Sequence, residues 1–272
     1  MLIRKCSIIK SNIKTLAPGP QSPHLSGTPD MKLCLLSLLA GLALTEAGTS
    51  NAVEWLLDDL FEDAQYDKNA IPMESGPTKD NGDHALNVAV GLGPRNLEMD
   101  AQGNLKMNAW LRASWKDFRL TWEPDQYEGV DRLMLPGDMI WRPDLSIYNQ
   151  AAYGAGTGED TILNNPYKVV IKNDGVIYWI PAIKLHADCS DEGFVPPGPG
   201  NSADQQSCHI KLGSWTHDAR HINLTAFANM DQLTLEDMSR NSQWVVASQE
   251  PNSIKYTSYD CCPEPYMNAD YR

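Results

Sequence analysis

A chain of 272 residues has room for a sizeable core, and its formal net charge of −13 at pH 7 excludes nucleic acid as the natural partner. Eight Trp, ten Tyr and 18 Pro beside only four Phe point to many short strands and turns, not to a helical bundle. An acidic surface keeps a secreted protein soluble and also concentrates cations near it.

Met31 and Lys32 precede an apolar run from Leu33 to Leu44, followed by small and polar residues ending at Ala47. That is the charged, apolar and cleavage-site layout of a secretory signal. Its apolar core is too short for a bilayer, which takes about 20 residues, and no other run comes near that length, so the processed chain is expected to be soluble and secreted. Residues 1–30 then read as an upstream extension or a mis-assigned start, 31–47 as the signal, cleaved after Ala47 or Ala52, and 48–272 as a single domain.

Apolar residues at Val53, Leu56, Leu57, Leu60, Phe61 and Ala64 recur at helical spacing with acids between them, which predicts one amphipathic helix over 53–64. Gly76-Pro77 and Asn81-Gly82 break the chain, and from Leu86 to Leu92 apolar residues alternate as in a strand. The next alternation is longer. Leu105, Met107, Ala109, Leu111, Ala113 and Trp115 form one face, and Lys106, Asn108, Trp110, Arg112, Ser114 and Lys116 form the other. Trp110 therefore lies on a polar face, where it is shielded by neighbouring stems, covered by a partner or reserved for a ligand. Further strands are expected over 168–172, 176–181, 209–212, 222–226 and 243–248, with Asn173-Asp174-Gly175 as a turn between the first two. With one domain and this spacing, the fold class is all-β: an immunoglobulin-like β-sandwich with an N-terminal amphipathic helix.

Cys6 and Cys34 fall in the discarded precursor, leaving Cys189, Cys208, Cys261 and Cys262, an even number in an exported chain. Adjacent cysteines on a trans peptide lie about 3.8 Å apart, closer than the ~4.4–6.8 Å of ordinary disulfides. A Cys261–Cys262 bond would stiffen a loop flanked by Tyr259 and Tyr266, the alternatives being that each pairs elsewhere or binds a metal. Cys189 and Cys208 are then free to pair, a closure that contributes roughly 3 kcal/mol in the chain-entropy model. The sequon Asn223-Leu224-Thr225 offers a glycosylation site in the same compartment.

The segments AWLRASW (109–115), WRPDLSIYNQ (141–150), CHIKLGSW (208–215) and SYDCCPEPY (258–266) resemble, in order and spacing, the extracellular ligand-binding domain of nicotinic acetylcholine receptors and the soluble acetylcholine-binding proteins. The resemblance spans roughly residues 53–266. It implies a pentamer that binds acetylcholine-like or nicotine-like cations at subunit interfaces. Tyr148, Trp215, Tyr259 and Tyr266 would form the principal wall, with a Cys261–Cys262 bridge closing over the ligand. Trp110, Val170, Tyr178 and Ile180 of the neighbouring subunit would form the complementary wall. Trp141, Pro143 and Asp144 match the family's structural signature, with Asp144 expected to position the loop of Tyr148. One chain carries both walls, so a head-to-tail homopentamer suffices, without cofactor, metal or membrane.

Two departures bear on this reading. The segment SDEGFVPPGPGNSADQQS between Cys189 and Cys208 is longer and more polar than the family's characteristic loop, which favours a soluble protein, and the chain stops at Arg272, soon after Tyr266. The first rival is a truncated subunit of a nicotinic-type channel. The second is a zinc-dependent hydrolase using His217 and His221, whose four-residue spacing binds metal only on a helix, a context this segment does not offer.

Overall fold

The computed structural model describes residues 50–75, 84–151, 167–189, 207–240, 242, 244, 246 and 249–272. The expected signal, the breaks at Gly76-Pro77 and Asn81-Gly82, and nearly all of the segment between Cys189 and Cys208 lie outside them.

Helix α1 spans Ser50–Leu57 and passes directly into a π-helical turn, Asp58–Asp63. The expected helix over 53–64 thus begins earlier and changes its winding halfway, while Leu56 and Leu60 still face the core. Among the described residues eleven strands follow: β1 Leu86–Met99, β2 Leu105–Thr121, β3 Arg132–Pro136, β4 Leu145–Ile147, β5 Lys168–Lys172, β6 Asp174–Trp179, β7 Ala182–Ala187, β8 Ile210–Ser214, β9 Ile222–Ala226, β10 Ser253–Thr257 and β11 Tyr266–Tyr271.

They form two sheets. The larger has the order β3-β5-β6-β2-β1-β9 with β7 also paired to β2, and the smaller has the order β10-β11-β8-β4. This is the all-β, immunoglobulin-like sandwich that the alternation predicted. Strand β2 organises the larger sheet, pairing β7 along its first half, β6 along its second and β1 along its other edge. Its expected inner face holds: Met107, Ala109, Leu111, Ala113 and Trp115 are buried, while Trp110, Arg112 and Ser114 on the other face are half-buried. The start of β6 needs Gly175, which has φ +82° and where a Cβ would stand 2.5 Å from the Asp117 carbonyl oxygen. Around Gln243–Ser248, where a strand was expected, only scattered residues are described. Trp244 there packs against the core and donates its backbone N–H to the Leu97 carbonyl of β1 at 3.4 Å.

A polar knot ties the segment after α1 to the larger sheet. The fully buried Asp117 accepts hydrogen bonds from the Tyr66 hydroxyl at 2.7 Å and from the Arg119 guanidinium at 2.8 Å, while the Tyr66 oxygen accepts the Trp141 backbone N–H at 3.0 Å. Burial and the adjacent Asp117 charge push the Tyr66 phenol well above its ordinary pKa, so it stays protonated and donates. Tyr66→Phe deletes two of these contacts, together with the bond that Arg119 Nη2 donates to the Tyr66 oxygen at 3.1 Å, and leaves Asp117 short of a donor. It should lower stability by about 1–3 kcal/mol, read as an earlier urea midpoint at unchanged m-value. An unaltered midpoint would show that the knot does not hold the helix segment.

Candidate functional site

Tyr148, Trp215, Tyr259 and Tyr266 come from the ends of the four strands of the smaller sheet. Tyr148 follows β4, Trp215 follows β8, and Tyr259 and Tyr266 flank the turn between β10 and β11. Pairing of β4 and β11 to opposite edges of β8 brings these ends together. The rings form a chain of contacts: Tyr148 to Trp215 at 5.9 Å between centroids and nearly perpendicular, Tyr148 to Tyr259 at 5.8 Å, and Tyr259 to Tyr266 at 6.0 Å. Gly213 of β8 makes the room. A Cβ there would meet the Asn268 amide nitrogen at 2.6 Å and the Tyr148 ring at 3.1 Å, so only glycine lets Tyr148 lie against the strand.

Hydrogen bonds fix the rings, and the Lys211 ammonium lies over Tyr259 and Tyr148, 5.0 and 5.8 Å from their centroids. The Tyr148 hydroxyl donates to the Ser214 carbonyl, and the Tyr259 hydroxyl donates to the side-chain oxygen of the buried Asn268 at 2.7 Å. Burial, reinforced by the nearby Tyr259 hydroxyl, raises the Tyr148 phenol far above its ordinary value, keeping it neutral. Trp215 is 63% exposed, more than any other large apolar side chain described. Cys261 and Cys262 are bonded to each other at the tip of the β10–β11 turn, and Cys189 is bonded to Cys208.

Asp144 holds the Trp215 loop. Its carboxylate accepts the Ser214 hydroxyl, the Thr216 backbone N–H at 2.7 Å, the Thr216 hydroxyl at 2.6 Å and His217 Nδ1 at 3.0 Å, and its carbonyl accepts the Trp215 N–H at 3.1 Å. Asp144 was expected to serve the loop of Tyr148; the atoms it grips belong to the loop of Trp215 instead. Burial alone would raise this carboxyl, but the bonds from His217, Ser214 and Thr216 outweigh it and hold the group below the ordinary aspartate range.

The residues expected in the complementary wall lie on the other sheet, on the outward side of its strands. Val170 of β5 pairs with Tyr178 of β6, which pairs with Ser114 of β2, two residues beyond Arg112 and four beyond Trp110. Ile180 is exposed just past β6. Met134 of β3 pairs with Val170 and is 59% exposed, extending the row by a residue that sequence reading missed; the apolar alternation of Leu133 and Leu135 around it was the available signal. Among the described residues no ring contact links these side chains to the Tyr148–Trp215 group. A cavity of about 310 Å³ lies elsewhere, beside Met73, His84 and Phe118, and includes no residue of either wall.

His217 and His221 do not stand on a helix. Each points Nδ1 at a different carboxylate, Asp144 and Asp218, the latter held at about 2 by Arg220 and His221 against the opposing effect of burial. Among the described residues no group of three or more His, Cys, Asp or Glu is placed to hold a metal ion. Asn223, in β9, donates its side-chain amide to Asn87 at 2.7 Å.

Residues 53–271 match the family described as the neurotransmitter-gated ion-channel ligand binding domain. The chain is similar to the neuronal acetylcholine receptor subunit alpha-6 of Mus musculus, 34% identical over 245 residues that cover 88% of this chain and 44% of that protein. It is also similar to the alpha-9 subunit of Homo sapiens, at 31% over 233 residues covering 85% and 44%, and to the alpha-4 subunit of Mus musculus, at 31% over 256 residues covering 90% and 37%. The chain thus spans under half the length of these curated relatives.

Because the Asp144 carboxyl sits below its ordinary value, its contribution to stability is complete above the usual aspartate pKa of about 3.9 and fades as pH falls through the lower folded value. Asp144→Asn should remove that contribution at neutral pH. The expected signs are a loss of about 1–3 kcal/mol and faster hydrogen exchange at the Thr216 and His217 amides. Unchanged exchange at those amides would show that the loop is held by something else.

Proposed function

The chain belongs to the neurotransmitter-gated ion-channel ligand-binding domain family, and from that membership we propose that it is a secreted, homopentameric protein that reversibly binds acetylcholine-like or nicotine-like cations at its subunit interfaces. The family is one of ligand-binding domains, not enzymes, which removes the zinc-hydrolase reading. The observation that carries the proposal is the Tyr148–Trp215–Tyr259–Tyr266 cluster with an indole left 63% exposed. A quaternary ammonium has no N–H to donate, so electron-rich ring faces are its natural receptors, each desolvated contact contributing about 2 kcal/mol or more. Neutral phenols and an indole turned toward solvent supply such faces.

The Cys261–Cys262 turn carries two of the rings and is the segment able to fold over a bound cation. Trp110, Val170, Tyr178 and Ile180 supply the second wall from the neighbouring copy, since they face outward on the other sheet. Heterologous contacts of this kind close into a ring when the rotation fits. The relatives' names, all acetylcholine receptor subunits, favour the ligand class. The polar sequence between Cys189 and Cys208 favours a protein free of a membrane domain, and no helix among the described residues is long and apolar enough to cross a bilayer. Asn223 is the proposed glycosylation site.

A second reading, the extracellular part of a channel subunit, is favoured by the chain spanning under half of its relatives. Sequencing the transcript past Arg272 separates the two, a stop codon supporting the secreted protein and four apolar spans replacing it.

Trp215→Ala should weaken acetylcholine binding at least about thirtyfold, the equivalent of ~2 kcal/mol, with the fold retained by circular dichroism. Trp110→Ala should do the same from the opposite wall. Co-expression of the two variants should restore a fraction of tight sites, because some interfaces then pair an intact principal wall with an intact complementary one. Mixed pentamers that recover no tight site would refute the interfacial assignment. Selective reduction of Cys261–Cys262, verified by mass spectrometry with Cys189–Cys208 intact, should also lower affinity. Equal affinity before and after would remove the bridge from the site.

A further inference from the structure

Trp110 already faces a cation of its own chain. The Arg95 guanidinium lies over the Trp110 ring, 5.2 Å from its centroid. Its placement is built into the strand pairing. In the β1–β2 ladder Pro94 pairs with Ala109 and Asn96 with Asn108, so Arg95 is the extra residue of a β-bulge. A bulge redirects the side chain at the unpaired position, and such features recur beside binding sites. The Arg95 carbonyl is anchored by the Ser239 N–H at 2.7 Å. The side chain itself is exposed and makes no ion pair among the described residues.

The surroundings share its sign. Gly93, opposite Trp110, has no side chain, and the Arg112 guanidinium occupies the space: a Cβ there would lie 2.5 Å from Arg112 Nη1. Arg112 is only loosely matched by Asp237, at 3.4 Å, and its Nη1 is buried without a partner. The Lys172 ammonium lies 5.4 Å from the Tyr178 ring centroid. On the outward face of β2, Lys106, Arg112 and Lys116 accompany Trp110 without a single acid, in a chain of net charge −13. Glu98 faces Lys106 across the β1–β2 ladder and Asp237 faces Arg112, which leaves the Arg95 guanidinium, unpaired among the described residues, as the group beside Trp110 suited to an electron-rich oxygen.

Resting on the proposed binding of cations between subunits, we infer that Arg95 is a ligand-binding group of the Trp110 wall. It receives the oxygen acceptor, an ester or a carboxylate, of a ligand whose ammonium sits in the Trp215 cluster, so the site selects such dipolar cations over bare ammonium ions. Arg95 contributes a charge-assisted hydrogen bond to the acceptor and, by occupying the Trp110 face, denies that face to a competing cation.

Calorimetric titration of the intact oligomer with tetramethylammonium, acetylcholine and glycine betaine tests this. The unaltered protein should bind the two oxygen-bearing probes more tightly than tetramethylammonium. Arg95→Gln should weaken the oxygen-bearing probes roughly tenfold and tighten tetramethylammonium roughly two- to fivefold, because the indole face is released. A larger loss for glycine betaine identifies a carboxylate as the acceptor, and a larger loss for acetylcholine identifies an ester. Arg95→Lys should restore part of the discrimination. Equal losses for all three probes would make Arg95 a structural residue, and no change would remove it from the site; either result overturns the inference. Trp215→Ala is the control for the underlying reading: tetramethylammonium binding that survives it refutes the aromatic cluster as the cation site, whatever Arg95 does.

Discussion

The proposed site depends on one carboxylate, that of Asp144, which is engaged by protein groups of the Trp215 loop. An indole exposed to the extent of Trp215 would gain by collapsing onto the neighbouring apolar surface. Asp144 prevents this by taking up the loop's polar groups on both sides of it, through its own carbonyl and through a carboxylate that accepts from Ser214, Thr216 and His217. With the backbone pinned at these points, the ring stands nearly perpendicular to Tyr148 and stays 63% exposed. The glycine at 213 serves the same end from the strand, admitting Tyr148 to a position a methyl group would fill.

The sandwich then decides what one chain can and cannot do. Its smaller sheet gathers four rings at the ends of β4, β8 and the β10–β11 turn, whereas the outward row of Trp110, Tyr178, Val170 and Met134 belongs to the larger sheet. Ring contacts run within the first group and do not reach the second among the described residues. Two unlike aromatic surfaces suit a directional contact between copies, and each already carries a cation of its own chain, Lys211 over Tyr148 and Tyr259 and Arg95 over Trp110.

Much of this was legible because burial leaves a period in the sequence. The two faces of β2 were readable residue by residue, since both sides alternate over a long strand. The four principal rings were readable only through the family's motifs, because aromatic residues scattered over more than a hundred positions carry no local signal of meeting. The helix was misjudged at both ends: a π-helical turn keeps Leu56 and Leu60 inward while changing the winding, and apolar periodicity is too coarse to register it. Strand β11 escaped notice because Asn268 and Asp270 interrupt its apolar pattern. Both are buried, satisfied in part by Tyr259 and by Lys255. The Arg95 bulge and the direction in which Asp144 reaches arise from pairing between distant segments, which no local pattern encodes.

The central claim is that neither wall binds alone. Native mass spectrometry of the purified protein, titrated with acetylcholine across protein concentrations at which oligomer and monomer coexist, tests it most directly. The account predicts ligand adducts confined to the oligomer, approaching one per subunit at saturation, with the monomer peak unliganded. A monomer that binds acetylcholine as tightly as the assembly would contradict it.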